Sequence, residues 1–346
     1  MQTNLKTNQK SEEIKSMNFN NFITEVKLTL REFFNDNILV EDKTVLKNNG
    51  VRLTGIVIIE GNKNCVPNIY LNEYYEQFKQ GKSIYEIAYE ISKYYESHKL
   101  KKQINMEFYS DYERVKKKLC FRLVNFEKNR ELLKQIPYVP YMDLAMVFYC
   151  MIQNEAIQNG SILVKNEKMK KWDVDIDTLK RDAYENTQRI LKGEIVSMED
   201  VICDMMKHKL MVEIEKCIKE QMEARIMVTE EMVVPIVEEM MRETYTDAKG
   251  PKMYVASNQN RNFGAAVILY SSFLMDFANQ TESDYYILPS SIHEVILVPK
   301  EDKEQEIEHL KKMVEEVNHT EMSEEEILSN SVYLYTRKEN QIIRVN

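Results

Sequence analysis

No uncharged apolar run in these 346 residues is long enough to cross a bilayer, which takes about 20 residues. The longest, 263–275, contains Ser271 and Ser272 and suits a buried helix better than a membrane span. The first residues, MQTNLKTNQKSEEIKS, lack the apolar centre of a secretory signal and read as a disordered polar tail over 1–16, with Met17 a candidate natural start. Both absences point to a cytoplasmic protein with no membrane partner.

Local signatures of familiar chemistry are missing too. The five cysteines (Cys65, Cys120, Cys150, Cys203, Cys217) are odd in number, widely spaced and set mostly among apolar neighbours, so they read as reduced core thiols. There is no CxxC and no HExxH, and the five histidines (His98, His208, His293, His309, His319) are too scattered to make a zinc site by local spacing. Neither a metal nor a cofactor is expected. The glycine-rich loops that cradle phosphates, GxxxxGK[ST] and GxGxxG, are absent, and no GxSxG elbow exposes a serine nucleophile. A net charge of −9 with both signs interspersed argues against a phosphate-tracking surface, so nucleic acid is not an expected partner. The alternating Asp173, Asp175 and Asp177 resemble a calcium loop, but Thr178 and Tyr184 stand where glycine and glutamate are needed. Asp175 is therefore read as a helix cap, with Trp172, the only tryptophan, packed at the root of that helix.

What is present is helix and strand without a strict βαβ rhythm. Residues 19–34 carry Phe19, Phe22, Ile23, Val26, Leu30, Phe33 and Phe34 at helical spacing. Asn49-Gly50 supplies the positive φ angles of a hairpin turn between two β-rich runs over 38–59. Pro67 and Asn68 start a helix over 69–80, stopped by Gly81, and Ser83 with Glu86 forms a capping box for the next. A switch from helix to strand falls near Lys118. Pro137 and Pro140 mark entry to a buried strand over 144–152, and Asn159-Gly160 reads as the turn into its hairpin partner.

Ten of the 20 methionines lie within 198–253, a helical region with a break near 228–229. Then follow a strand over 251–258, a helix over 261–278, strands over 285–289 and 293–299, a helix over 303–317, a capped short helix opened by Ser323 and Glu326, and a closing hairpin around Glu339-Asn340. The class is α+β, with mixed or mostly antiparallel sheets flanked by helices and an N-terminal β-hairpin with covering helices. Beyond the tail, the expected organisation is a helix, hairpin and helices over 17–135, then a C-terminal α+β domain over 136–346 with a helical insertion at about 198–246.

The phrases NNGVRLTGIVI, NIYLNEYYEQF, FEKNRELLKQIPYVPYMDLAMVFY, MYVASNQNRNFGAA, YILPSSIHEVILVP and EEILSNSVYLY resemble an uncharacterised "domain of unknown function" family of anaerobic Gram-positive bacteria. The resemblance spans nearly the whole chain from Met17. More loosely, residues 172–186, 262–266 and 289–291 are similar to a second uncharacterised family, found in bacilli. Neither resemblance implies an activity or a set of catalytic residues.

Two polar clusters are candidate sites. In the first, Ser290 and Ser291 belong to a Pro-Ser-Ser turn that His293 follows; strand alternation over 292–298 puts His293 on one face and Glu294 on the other, and Ser291 shares the face of His293 if the strand begins that early. The blander reading is a half-buried histidine held by backbone, with the serines satisfying turn amides. In the second, Asn258, Arg261 and Asn262, with Asn260, precede an apolar helix whose N-terminus suits a carboxylate or phosphate, although such connectors more often cap helices. The leading expectation is a non-catalytic binding or regulatory protein that meets a protein partner through the methionine-rich helices. The alternative is a small-molecule hydrolase or transferase using Ser291, His293 and Arg261.

Overall fold

A computed structural model describes residues 17–35, 37–61, 65–100, 106–154, 157–220, 229–245, 252–270, 272–301 and 306–345. Internal contacts divide the chain into two units, 1–115 with 150–162, and 116–149 with 163–346. Residues 135 and 136, where the sequence suggests a boundary, fall inside the second unit.

In the first unit, α1 (Phe19–Phe33) is capped by Asn18, whose side chain accepts from the amide of Asn21. The strands β1 (Ile38–Leu46) and β2 (Arg52–Glu60) pair antiparallel around Asn49 and Gly50, at φ 57° and 75°. The expected capping box is present at the start of α3 (Ile84–His98). Between them, 68–70 is not helical: β3 (Asn68–Tyr70) pairs with β2, and α2 (Asn72–Lys79) begins only after it. Adding a strand buries Ile69 and satisfies sheet hydrogen bonds, which outweighs the local helix signal after Pro67. Phe22, Val26 and Leu30 of α1, Val40, Ile56 and Ile58 of the hairpin, and Ile87, Ile91 and Tyr95 of α3 close one core. Each such side chain stabilises the fold by about 1.5–3 kcal/mol on full burial.

The second unit is built on an entirely antiparallel sheet in the order β13-β12-β10-β11-β9-β8. Its strands are β8 (Gly193–Ser197), β9 (Tyr254–Asn258), β10 (Tyr285–Leu288), β11 (Val295–Pro299), β12 (Val332–Thr336) and β13 (Gln341–Val345). A second sheet has the order β4-β6-β5, with β7 beside β6: β4 (Leu119–Asn125), β5 (Tyr138–Tyr141), β6 (Leu144–Asn154) and β7 (Ile157–Leu163). Asp175 caps α4 (Ile176–Ile190) by accepting from the amide of Thr178, and Trp172 is buried beside it. The helices α5 (Met198–Glu220) and α6 (Glu230–Tyr245) lie in sequence between the paired strands β8 and β9. The break expected near 228–229 falls largely outside the described residues.

Four expectations need correcting. Asn159-Gly160 lies within β7, which pairs with β6, so it is not a turn; the connection between the two strands, 155–156, lies outside the described residues. The apolar stretch 261–278 is not one helix. It is broken into a 3-10 turn, Gly264–Leu269, and α7 (Phe273–Thr281), since Arg261, Phe263 and Ser272 all take left-handed backbone conformations. Its low charge reflects burial of 264–268, not helical periodicity. Ser323 and Glu326 do bond to one another, but the chain then extends to pair with 289–292, so no helix follows. β11 begins at Val295, which leaves His293 and Glu294 in a connector to which strand alternation does not apply. Last, α8 (Glu306–Thr320) packs Leu310 and Val314 against β10, β11 and β12.

Candidate functional site

The connector 289–294 between β10 and β11 is held by chain that arrives from far downstream. The amide of Ile292 donates to the Glu326 carbonyl at 2.9 Å, and the amides of Leu328 and Ser329 donate to the carbonyls of Ser290 and Pro289 at 3.0 and 2.9 Å. Within the connector, the Ser291 hydroxyl accepts from the amide of His293 at 3.0 Å. It is buried and bonds to the backbone, so it does not serve the imidazole as a nucleophile serves its base.

The second cluster closes on itself through Asn258. That side chain is 1% exposed. Its Oδ1 accepts from the amides of Asn260 and Asn262 at 3.1 and 3.3 Å, and its Nδ2 donates to the Asn262 carbonyl at 2.8 Å. An asparagine that replaces backbone partners in this way locks a tight loop. The loop forces Arg261 and Phe263 to φ 49° and 54°, unusual for a bulky side chain and held only when the surroundings enforce it.

His293 supplies part of that enforcement, so the two clusters meet. The amide of Phe263 donates to Nδ1 of His293 at 3.3 Å, and the two rings stack with centroids 5.8 Å apart. The Ser257 hydroxyl donates to the His293 carbonyl at 2.7 Å. Gly264 makes the approach possible: a Cβ there would lie 2.0 Å from Ser257 Oγ and 2.4 Å from the His293 carbonyl oxygen. With Nδ1 accepting, a neutral ring carries its proton on Nε2. That nitrogen faces Glu326 Oε1 at 3.8 Å, an ion-pair distance but too long for a hydrogen bond. Arg261 points elsewhere, to Glu194 at 3.8 Å, and is exposed.

Chemically, this is a mutually bonded polar knot. Glu326 was missed as a neighbour of His293 because its sequence signal, a capping box with Ser323, accounts for it locally. Arg122 was missed because one basic residue in an alternating strand carries no signal. Its guanidinium lies 4.3 Å from the centroid of the Phe263 ring, and burial pushes it below its usual range.

A second knot surrounds Asp143, at the β5–β6 turn. Its carboxylate accepts from the hydroxyls of Ser329 at 2.5 Å, Ser331 at 3.0 Å and Tyr333 at 2.7 Å. Burial works to raise its pKa, but the bonds from Ser329, Tyr333 and Ser331 more than reverse this and hold the carboxyl below its ordinary range. An open depression of about 620 Å³ lies apart from both knots, lined by Asn279, Asp284, Lys300, Arg337 and Lys338 among others. Among the described residues, no group of three or more His, Cys, Asp or Glu side chains is placed to hold a metal ion, and no helix is long and apolar enough to cross a membrane.

The fold and these knots define an α+β protein whose most distinctive polar residues are engaged with one another. The chain belongs to the family of unknown function DUF5688, whose model matches residues 19–337. No curated protein and no solved structure matches it.

Proposed function

We propose that this is a non-catalytic binding or regulatory module, bacterial and cytoplasmic, which meets a protein partner through the helices α5 and α6. One observation carries the reading: these helices have apolar residues to spare. Val233 and Val237 of α6 pack against Cys203, Met206, Leu210, Met211 and Ile214. Met205 and Val212, two turns apart on α5, remain 67% and 51% exposed, and Ile236 on α6 is 47% exposed. Apolar side chains at helical spacing on an exposed face are what a partner helix or groove engages, and methionine adapts to the shape it meets.

The test is capture of partners from native cell extract with the full chain as bait, beside a Met205→Asp/Val212→Asp double variant. A stoichiometric protein should be recovered by the wild type and lost with the variant, while circular dichroism is unchanged. Recovery of no such protein, or equal recovery by both chains, counts against the reading.

A hydrolase or transferase centred on Ser291, His293 and Arg261 is the second reading, favoured by the meeting of the two clusters at Phe263 and His293. Against it stand the Ser291 hydroxyl, turned to a backbone amide, and Arg261, turned to Glu194. His293→Ala distinguishes the two: a substantial loss of melting temperature with no change in any ligand response is the structural outcome.

A further inference from the structure

Arg122 differs from the other charged groups of its unit. It is half-buried on β4, and its Nε is closed to solvent with no hydrogen-bond partner. No carboxylate among the described residues pairs with it. Its one neighbour of note is the Phe263 ring, fixed in turn by the 5.5 Å edge contact of Tyr149 and by the stack on His293. A ring face offsets only part of what it costs to take a guanidinium out of water, and buried charges ordinarily find a counter-charge.

Tyr149, on β6, is 4% exposed, and its hydroxyl has no partner among the described residues. Burial holds the phenol well above its ordinary range, and the nearby Arg122 works against that shift. The group is therefore a protonated donor at neutral pH.

We propose that Arg122 and the hydroxyl of Tyr149 form a binding site for an oxyanion, the carboxylate or phosphate group of a small molecule, with Phe263 holding the guanidinium in place. The planar fork of arginine matches two oxygens of such a group, and a phenol suits a further one. Phe263 is also the residue that the 258–264 loop strains into a left-handed conformation, so the strain sets the wall of this site.

The test measures the melting temperature of the full chain at equal ionic strength in chloride, phosphate or acetate. Phosphate or acetate should raise that of the wild type by about 2–4 °C over chloride. Arg122→Gln should abolish the rise, Tyr149→Phe should reduce it, and Arg122→Lys, which keeps charge without the fork, should fall between. Salts that act by exclusion from the surface raise every chain alike, so the signal is the difference between chains. A response to phosphate alone marks a phosphoryl ligand, and one to acetate alone a carboxylate. The proposal is overturned by a wild type that responds to neither anion, or by equal responses in wild type and Arg122→Gln. Should Arg122→Gln fail to fold, equal responses in wild type and Tyr149→Phe overturn it.

Discussion

Asp143 and Arg122 are both charged, both withdrawn from bulk water and both in the second unit, yet their surroundings are opposite. Three hydroxyls converge on Asp143, and two chain segments far apart in sequence are tied by it. Arg122 has an aromatic face and an orphaned Nε. The lesson is that burial alone does not assign a role to a charge; the completeness of its partners does. A fully bonded ion is a fastener, while an incompletely bonded one leaves binding capacity unused.

The largest test breaks the fastener. Asp143→Ala should lower stability by about 3 kcal/mol, because Ser329, Ser331 and Tyr333 lose a charged acceptor together, as measured by urea unfolding. A cost below about 1 kcal/mol would show that the hydroxyls re-pair, and the contrast with Arg122 would collapse. Gly264→Ala should cost about 1–3 kcal/mol, since the new methyl meets the Ser257 hydroxyl and the His293 carbonyl. If it costs nothing, the loop that positions Phe263 under Arg122 is softer than its geometry implies.

Acid sharpens the same comparison. The folded-state pKa of Asp143 is depressed, so its contribution is fully present above the unfolded carboxylate value of about 3.9 and is lost as pH falls through the folded value. Stability of the wild type should therefore decline in that acid window, and Asp143→Asn should remove that part of the decline. The smallest effect belongs to the other side: Arg122→Met should be neutral or stabilise by about 1 kcal/mol, because it removes a half-buried charge whose Nε has no partner. A loss above about 2 kcal/mol would mean that Arg122 has a structural counter-charge after all.

Local chemistry was legible in the sequence at several residues that act on their neighbours. Asn49-Gly50, the Ser83/Glu86 box and the Asp175 cap all work within a few residues, and each performs the role its type suggests. The α+β class and the antiparallel sheets followed from the alternation of short apolar runs. Long-range partners were not legible. Ser323 and Glu326 satisfy a local pattern, yet the segment after them pairs with 289–292, and no spacing rule joins Glu326 to His293. Strand alternation assigned faces to His293 and Glu294, but the strand starts only at Val295, after both of them. Arg122 and Tyr149 both reach the Phe263 ring, from strands β4 and β6 that share a sheet.

The pairing of β8 with β9 has a consequence for how this chain tolerates change. Ser197 sits opposite Tyr254, and the amide of Met198 donates to the Met253 carbonyl at 2.9 Å, so the chain leaves and re-enters the sheet at adjacent points. Topologically, α5 and α6 occupy the loop of a hairpin. The ends of that loop are clamped whatever lies between them, and closure entropy grows only slowly with its length. Replacing the helices by an Asn-Gly turn should therefore leave β8 and β9 paired, which makes this a place where the chain can change length while keeping its frame.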